Sequence, residues 1–524
     1  GQRPLRRRTE RRDRTNCGFR RSSRCNRTLL IAGSSIAGSS MNHTFRSVFN
    51  NATQSWAAVS ENVTTRGRRA SSVMLATAAI VAELGGSGVA FAAGPPAALQ
   101  LPVGGVVSAG RATISQSTTA NQAVMNISQT TQRAAINWSS FDVGQAAQVN
   151  FNQPNSAAQT LNRVNSVNPS QILGKMTAPG TVILINPAGV YFGKSGTVDV
   201  GALVATTHNI SDADFMAGKS TFSRHGATGA VVNDGALQAK IDGYIALLAP
   251  EVRNNGVVFA KRGAAVLATG EHISLEFDGN DKITGIQVKA SEFASLVENK
   301  HAIETPEGFI IMSAQSAGRL KQGVVRNSGT LNASSLVEKG GRILLTGDVV
   351  QISAGSELRA TGAKGGGEIL VGGDWQGSKG VYQAQEVTIE ADANLDASAT
   401  VQGDGGKVVV WSDIHDTQSR TAVAGSLKAQ GGAQGGQGGK IETSGRQLMM
   451  DGIRVDTTAA AGETGLWLLD PYNITISTGT QAGVDGTYSA TANSAVVNAT
   501  TLTTALNSSN VTVSTGGASS AGSE

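Results

Sequence analysis

The sequence of 524 residues holds only two cysteines, Cys17 and Cys25, and none from residue 41 onward. A body without cysteine has no disulfide framework and no thiolate metal site. The absence also suits a chain that crosses an oxidising compartment unfolded, because a disulfide would close a loop too wide for a narrow pore.

Aromatic residues make up 4% of the chain and charged residues 15%. Helix bundles and coiled coils need far more Leu, Glu and Lys, so both classes are disfavoured. The 65 glycines follow no three-residue period, which excludes collagen, and the 40% of apolar residues argues against wholesale disorder.

The basic net charge of +5 is concentrated at the N-terminus. Residues 1–40 hold eleven arginines against Glu10 and Asp13, a net charge of +9, and residues 41–92 add +2. The remaining 432 residues therefore carry −6 and lack the basic footprint of a nucleic-acid-binding protein. Residues 1–40 do not begin with Met, and we expect translated upstream sequence with the start at Met41; the alternative is a basic disordered tail.

A signal peptide is predicted from Met41 onward. An apolar run at residues 73–82 is too short to span a bilayer, and a basic region lies before it at residues 66–69. Ala90-Phe91-Ala92 fits the small-x-small rule, which predicts cleavage between Ala92 and Ala93. A buried apolar helix is the alternative interpretation of this run.

The stretch before the apolar run is longer than an ordinary signal peptide needs. It contains Met41-Asn42-His43-Thr44-Phe45-Arg46, then Trp56 and the pair Ser60-Glu61. This pattern resembles the extended signal peptide region of type V secreted proteins, with His43 in place of the usual lysine.

Short apolar or alternating runs, bounded by Gly, Asn and Asp, recur through the rest of the chain and predict β-strands joined by turns. The clearest runs are residues 147–151, 181–185, 244–248, 257–260, 273–277, 343–345, 349–352 and 408–411. Helices are predicted only at residues 290–298, where Phe293, Leu296 and Val297 have i, i+3, i+4 spacing, and more weakly at residues 314–321.

A pattern of two glycines, a charged residue and a β-branched residue recurs at irregular spacing. Its copies begin at Gly340, Gly366, Gly405 and Gly438. Irregular repeats of short strands and tight turns predict an all-β solenoid, a parallel β-helix with short helical and hairpin excursions. A β-sandwich or propeller is the alternative, and the Gly- and Gln-rich residues 430–439 are predicted to form a mobile loop.

Patterns that carry catalysis or bind metals are weak. The six histidines have no paired ligand spacing, and the catalytic residue types in residues 412–416 are adjacent in sequence, which does not supply the geometry of a triad. We therefore expect no catalytic residue, no cofactor and no metal. A β-helical carbohydrate-active enzyme remains the rival class, because sequence alone does not exclude carboxylates clustered on one face.

Five motifs follow one another between residues 137 and 193. They are Asn137-Trp138-Ser139-Ser140-Phe141, Val149-Asn150-Phe151-Asn152-Gln153-Pro154, Leu161-Asn162-Arg163-Val164, Asn168-Pro169-Ser170-Gln171-Ile172-Leu173-Gly174 and Ile185-Asn186-Pro187-Ala188-Gly189-Val190-Tyr191-Phe192-Gly193. Over roughly residues 100–375 the chain closely resembles the secretion domain of filamentous haemagglutinin-type exoproteins, the passengers of two-partner secretion. Ala188 departs from the usual Asn-Pro-Asn-Gly motif. Further on, residues 442–445 and 467–471 resemble the high-molecular-weight adhesin branch of that family.

The resemblance implies a route and a set of partners. The chain would cross the inner membrane by the general secretory machinery, be recognised in the periplasm by an outer-membrane barrel with POTRA domains, and fold outside into a right-handed β-helix. It implies a protein that is secreted or held at the cell surface and is not an enzyme. The distal part would be an adhesin, a haemolysin or a contact-dependent toxin that meets a receptor on a host or neighbouring cell, a glycan among the candidates.

The two Asn-Pro motifs are the predicted secretion site, with Asn168, Pro169, Asn186, Pro187 and Gly189 as its residues. Proline fixes φ at about −65° and asparagine caps a turn with its side chain, so each motif is a stiff turn. Such turns either contact the transporter or are ordinary β-helix turns.

The predicted domains follow from these observations. Residues 1–40 are the leader, residues 41–92 the extended signal peptide, and residues 93–375 the secretion domain. Residues 376–476 continue the β-helical repeats, and residues 477–524 begin a Ser/Thr/Ala/Gly-rich adhesin region that we expect to continue in a longer protein.

Overall fold

The computed structural model describes the backbone of residues 45–50 and 55–60, and residues 94–318, 322–378, 380–472, 474–478 and 495–514. The chain divides into two units, Gly1–Ser71 and Ser72–Glu524. In the described part of the first unit, β1 (Phe45–Asn50) and β2 (Ser55–Ser60) pair antiparallel.

The described part of the second unit consists mainly of short strands. Two helices accompany them, α1 (Asp212–Met216) and α2 (Ala499–Ala505), with a 3-10 turn at Trp375–Gly377. None of the helices within the described ranges is long and apolar enough to cross a membrane. The strands in chain order are β3 (Val106–Ala109), β4 (Ala112–Thr118), β5 (Ala123–Gln129), β6 (Arg133–Trp138), β7 (Ala147–Asn152), β8 (Gln159–Val164), β9 (Ser170–Ile172), β10 (Lys175–Thr177), β11 (Thr181–Ile185), β12 (Val190–Phe192), β13 (Thr197–Val200), β14 (Ala202–Thr206), β15 (Thr221–Ser223), β16 (Ala230–Asn233), β17 (Ala236–Ala239), β18 (Tyr244–Leu248), β19 (Glu251–Asn254), β20 (Val257–Ala260), β21 (Ala264–Thr269), β22 (His272–Phe277), β23 (Ile283–Lys289), β24 (Ser295–Asn299), β25 (Ala302–Glu304), β26 (Phe309–Ala314), β27 (Gly323–Asn327), β28 (Thr330–Asn332), β29 (Arg342–Gly347), β30 (Val349–Ile352), β31 (Glu357–Arg359), β32 (Glu368–Val371), β33 (Glu386–Ile389), β34 (Asn394–Asp396), β35 (Lys407–Trp411), β36 (Arg420–Val423), β37 (Ser426–Lys428), β38 (Lys440–Gly445), β39 (Gln447–Met449), β40 (Arg454–Asp456), β41 (Leu466–Pro471), β42 (Ile474–Ser477), β43 (Ala495–Asn498) and β44 (Asn510–Val513).

Three long sheets run along the molecule, and each turn of the chain, or rung, adds one strand to each sheet. The first sheet has the order β4-β5-β7-β10-β13-β17-β20-β25-β28-β31-β34-β37-β40. The second has the order β3-β6-β8-β11-β14-β18-β21-β26-β29-β32-β35-β38-β41-β44, and the third β9-β12-β16-β19-β24-β27-β30-β33-β36-β39. Pairing is parallel except where β4 and β3 cover the N-terminal rung antiparallel to β5 and β6. This confirms the predicted parallel β-helix, and the eight predicted strands lie in β7, β11, β18, β20, β22, β29, β30 and β35.

The core is a set of apolar columns that run along the solenoid axis. Because side chains alternate between the two faces of a strand, each rung places the same register position inward. In the first sheet one such column is buried over twelve strands: Met125, Val149, Met176, Val198, Leu237, Val258, Ile303, Leu331, Leu358, Leu395, Leu427 and Val455. Each rung therefore buries its apolar side chains only against its neighbours.

The glycine-rich repeat begins four successive strands of the second sheet, β29, β32, β35 and β38. The charged positions Arg342, Glu368 and Lys407 are register partners, and Glu368 pairs with Arg342 at 3.2 Å and with Lys407 at 3.3 Å. The β-branched position that follows is buried in every copy: Ile343, Ile369, Val408 and Ile441. The repeat thus encodes a close turn and one core residue in every copy, and its first three copies are joined by ion pairs between rungs.

Four buried asparagines close successive strands of the third sheet. The side-chain amide of Asn233 donates to Asn254 at 2.8 Å, Asn254 to Asn299 at 2.7 Å, and Asn299 to Asn327 at 2.8 Å. All four are fully buried, so this ladder satisfies polar groups that would otherwise destabilise the turns.

An excursion built from two separate segments of the chain, residues 207–229 and 270–294, covers the outer face of the second sheet. It includes α1 and the antiparallel sheet β15-β22-β23. Ser211 caps α1 by accepting from the amide of Asp214. Apolar residues of the excursion form a second core against the solenoid: Ile210, Phe215, Phe222, Ile273, Leu275 and Ile283 on Leu161, Ile183 and Val204.

Both helix predictions are wrong over the described residues. Residues 295–299 form β24. Leu296 and Val297 point to opposite faces of this strand: Val297 joins the core, and Leu296 packs with Val324 and Val349. Residues 309–314 are β26, and residues 319–321 lie outside the described residues. Pairing between rungs therefore overrides the local helical spacing.

Residues 430–439 form a loop, as predicted, and its backbone is paired with the loops of neighbouring rungs. Gly431 forms a bridge with Ala459, and the amide of Gly403 donates to the carbonyl of Gly435 at 2.7 Å. Gly436 has φ 123°, and a Cβ there would lie 1.9 Å from the carbonyl oxygen of Gly403. Glycine is needed here for close stacking of loops from successive rungs.

Candidate functional site

The two Asn-Pro turns lie on adjacent rungs, at the edge between the second and third sheets. The first turn joins β8 to β9 and the second joins β11 to β12. The strands that leave the turns pair in parallel, with Ser170 opposite Val190 and Ile172 opposite Phe192. The two motifs are about one rung apart along the chain, so they lie side by side and form one continuous surface.

Asn186 joins the two turns. Its fully buried side-chain amide donates to the carbonyl of Asn168 and to Oγ of Ser170, both at 3.0 Å. Its Oδ1 accepts from the amide of Ala188 at 3.0 Å, so the same side chain also caps its own turn. Removing this side chain would leave buried polar groups of both turns unpaired.

Gly189 allows the second turn to fit between its neighbours. It has φ 128°, and a Cβ there would lie 3.0 Å from the carbonyl oxygen of Ala230 in the next rung. Its carbonyl accepts from the amide of Ser170 at 3.0 Å. A side chain at this position would therefore strain the backbone and separate the rungs.

The remaining predicted residues face solvent. Asn168 and Pro187 are exposed and Pro169 is half-buried. We expected each asparagine to cap its turn; Asn186 does so, whereas at the first turn the amide of Asn168 donates to Oγ of Ser166 at 3.0 Å. The altered motif thus keeps its side-chain cap, and Ser166 and Ser170 are contacts that the motif pattern did not single out.

Arg163, in the third motif, fastens the excursion beside the turns. Its guanidinium pairs with Asp212 at 2.7 Å and donates to the side chains of Asn137 and Asn209 at 3.1 and 3.0 Å. It also donates to the carbonyl of Ile210 at 2.6 Å. One side chain therefore links two solenoid strands to the start of α1.

The two motifs near the C-terminal end are register partners in β38 and β41. Glu442 lies opposite Leu468 and Ser444 opposite Asp470, and Nε1 of Trp467 donates to Oγ1 of Thr443 at 3.0 Å. Burial raises the pKa of Glu442 to about 8, although the amide of Gln376 and the hydroxyl of Ser444 donate to it.

Two other predictions concern the cleavage site of the signal peptide and the catalytic or metal-binding residues. Ala92 and Ala93 lie outside the described residues. Residues 412–416 form a turn in which Oδ1 of Asp413 accepts from the amide of His415 at 2.9 Å, while Ser412 is fully buried. Among the described side chains no group of three or more His, Cys, Asp or Glu is placed to hold a metal ion.

Two family models match the chain. The TPS secretion domain matches residues 100–360, and the Extended Signal Peptide of Type V secretion system matches residues 41–90. The second match covers the segment in which we predicted an extended signal peptide.

Relatives and a solved structure agree with these matches. A heme/hemopexin-binding protein of Haemophilus influenzae strain Rd is 30% identical over 269 residues, which is 50% of this chain and 29% of that protein. A second heme/hemopexin-binding protein of Haemophilus influenzae is 28% identical over 265 residues, 47% of this chain and 28% of that protein. The crystal structure of the HMW1 secretion domain from Haemophilus influenzae has a TM-score of 0.53 at 28% identity, and the match covers 70% of this chain and 100% of that one.

The β-helix and the matched domain define an exported passenger whose N-terminal domain directs its secretion. The chain belongs to the filamentous haemagglutinin-type exoproteins of two-partner secretion. It is a secreted protein that passes through the periplasm and is exported across the outer membrane. Each match to the two heme/hemopexin-binding proteins spans less than a third of the relative's length.

Proposed function

We propose that the chain is the N-terminal part of a β-helical surface adhesin or haemagglutinin. Its secretion domain presents the two Asn-Pro turns to the POTRA domains of a dedicated outer-membrane barrel, after delivery by the general secretory machinery. The distal part meets a receptor on a host or neighbouring cell, with a glycan as one candidate ligand.

The observation that carries the proposal is the joining of the two turns. Asn186 donates across the rung boundary to Asn168, and the exposed Asn168 and Pro187 lie on the resulting surface. The proline of each motif fixes φ locally at about −65°, so each turn loses little conformational entropy on binding even before the rungs stack, which favours recognition.

A non-enzymatic role is part of the proposal. The family that matches residues 100–360 is a secretion domain and not a known enzyme family. A haemolysin or contact-dependent toxin would share this secretion domain and differ in its distal part. The carbohydrate-active enzyme is the rival, and polysaccharide cleavage by the exported protein would support it.

The experiment is export of the full chain co-expressed with its cognate transporter. Asn168→Ala removes an exposed side chain and Pro169→Ala relaxes φ at a half-buried position, so the double change should lower the free energy of unfolding by only about 1 kcal/mol. We expect export to fall about tenfold or more, which corresponds to about 1.4 kcal/mol of lost recognition. Protein in the medium is measured beside the thermal midpoint of the purified chain.

A matched control lies in the turn between β7 and β8. There Pro154 and Asn155 are both exposed, and Oδ1 of Asn155 accepts from the amide of Ala157 at 3.0 Å. Pro154→Ala with Asn155→Ala should leave export unchanged. Unchanged export in the Asn168, Pro169 double variant, or loss of folding and export in parallel, would contradict recognition by this turn.

A further inference from the structure

A cleft opens between the outer face of the second sheet and the excursion. Its volume is about 400 Å³, which is within the range of small-molecule sites. Its floor consists of residues in β8, β11, β14 and β18, and its wall consists of residues in β15, β22 and the turn after β22. Because floor and wall come from different rungs, the cleft forms only once the solenoid has folded.

The wall of the cleft is apolar and aromatic. Phe222 and Leu275 are buried against the solenoid, and the ring centroid of Phe277 lies 5.5 Å from that of Tyr244 on the floor. At the rim, the side chain of Ile241 is 62% exposed. The cleft therefore accepts a ligand that has one apolar face.

Arg133 supplies a positive charge that the protein holds in place but does not neutralise. Its Nη1 donates to the carbonyl of Phe215 at 2.7 Å, and its guanidinium carbon lies 5.6 Å from the centroid of the Phe215 ring. Among the described residues no carboxylate oxygen lies within 4.0 Å of this guanidinium, whereas Lys219 and Lys240, which also line the cleft, each pair with an aspartate. Nε and Nη2 of Arg133 thus remain for a bidentate contact with a carboxylate of a ligand.

Polar groups lie beside Arg133 in the cleft. Burial raises the pKa of Tyr244 to about 12, and the charges of Asp281 and Arg133 act on its hydroxyl with opposite sign. Asp281 lies in the turn between β22 and β23 and forms no ion pair with any cation of the described ranges. Ser220 and Asn280 add a hydroxyl and an amide to the same lining. A carboxylate accepts hydrogen bonds and an amide both donates and accepts, so these groups suit a ligand rich in hydroxyls.

We propose that the cleft binds a sugar residue that carries a carboxylate. Arg133 binds the carboxylate, Asp281 and Asn280 bind ring hydroxyls, and the apolar face of the sugar packs against Phe277. A fatty acid would also satisfy Arg133, but the polar groups of the cleft would lose water without gaining partners, which disfavours it.

The proposed ligand site belongs to the folded, exported secretion domain. It is separate from the Asn-Pro turns and from the distal part of the protein. It does not depend on how the transporter recognises the chain, so the binding experiments below and the export experiments above can fail independently.

The test is a ligand-observed NMR titration of the purified full chain with D-glucuronate and D-galacturonate. D-glucose and D-galactose are the matched sugars without a carboxylate. We expect a dissociation constant on the order of 1 mM for at least one of the two acids, and at least about tenfold weaker binding of its neutral counterpart. Absence of binding by both acids, equal binding of acid and neutral sugar, or displacement of the acid by an equimolar amount of decanoate would overturn the proposal.

Two variants assign the binding to the cleft. Arg133→Gln removes the charge and should weaken binding of the acid at least about tenfold, with little effect on the neutral sugar. Asp281→Asn should weaken binding of both sugars about threefold or more, because a hydroxyl loses a charged acceptor. Asp281 has φ 60°, a conformation that asparagine adopts readily, so this variant should keep the fold.

Arg359→Gln is the control, because Arg359 is exposed on the first sheet and lies outside the cleft. It should bind both sugars as wild type does, and an equal loss in Arg359→Gln and Arg133→Gln would show general charge attraction and refute the site. The thermal midpoint is measured for each variant, because Arg133 also holds the end of α1 through Phe215. Wild-type binding by Arg133→Gln would overturn the proposal, as would a loss that accompanies a lowered midpoint while Asp281→Asn binds normally.

Discussion

At the scale of single residues, one column of glycines lets the turns of successive rungs stack closely along the second sheet. It comprises Gly180, Gly201, Gly243, Gly263, Gly308, Gly341, Gly367, Gly406, Gly439 and Gly465. A Cβ built on Gly263 would lie 1.6 Å from the carbonyl oxygen of Gly243, and one on Gly308 would lie 2.2 Å from that of Gly263. The second glycine of each sequence repeat belongs to this column, which explains why the repeat recurs although its spacing varies.

Gly263→Ala should destabilise the solenoid by about 3 kcal/mol or more, because the methyl group meets backbone that cannot move without separating two rungs. Chemical denaturation of the purified chain measures the change. Gly279→Ala is the control, since a Cβ there has no neighbour within 4 Å. A Gly263→Ala chain as stable as the Gly279→Ala chain would show that the rungs tolerate expansion.

At the scale of elements, β38 and β41 bury carboxylates beside the turn that follows β32. Glu442 is fully buried and accepts from the amide of Gln376 at 2.8 Å. Its neighbour Asp470 is nearly buried, and burial raises the pKa of that carboxyl as well. The outer face of the second sheet therefore holds acidic groups whose protonation is coupled to folding.

Glu442→Gln should change how stability depends on pH. Burial raises the pKa of Glu442 from 4.5 to about 8, so the folded chain keeps a proton that the unfolded chain releases. The stabilising contribution of this proton to the free energy of unfolding is fully present below pH 4.5. It falls by on the order of 3–5 kcal/mol as the pH rises towards 8. We expect the variant to gain stability over wild type across that window, measured as the difference in unfolding free energy at each pH.

Glutamine suits this test because its carbonyl oxygen still accepts from Gln376 and its amide can donate to the hydroxyl of Ser444. Glu463→Gln, at an exposed site, controls for the loss of one negative charge. A difference between Glu442→Gln and wild type that is the same at pH 5 and pH 8 would show that Glu442 titrates at an ordinary carboxyl pKa.

At the scale of the whole molecule, the described solenoid begins with a cap. β3 and β4 run antiparallel to the first parallel strands and cover edges that would otherwise be open to pairing. The matched extended signal peptide, residues 41–90, lies before this cap in the chain. The first parallel rung of the described solenoid is thus covered on one side.

Export should yield a protein that begins at Ala93. The small-x-small pattern at residues 90–92 follows the apolar run, so the signal peptidase removes the segment before the cap. N-terminal sequencing of protein collected from the medium measures the start. Ala92→Leu, which places a large side chain at the cleavage position, should block processing, and a mature product that still contains residues 66–69 would refute the predicted site.

Properties set by neighbouring residues could be predicted from the sequence alone. Alternating apolar runs bounded by turn residues identified eight strands, because strand period and turn chemistry are local. The order of the motifs identified the family. The same local reasoning led to the wrong prediction of a helix at residues 290–298, because the spacing of Leu296 and Val297 fits both a helix and a strand with two buried faces.

The tertiary structure alone decided which residues meet across rungs. The hydrogen bond from Asn186 to Asn168, the pairing of residues 442–445 with 468–471, and the burial of Glu442 all depend on the register of parallel strands. That register is fixed by loops of unequal length and by columns of side chains from many rungs, so no local pattern reports it. Sequence therefore determined the kind of solenoid and its export class, and packing between rungs determined the surface that the secretion domain presents.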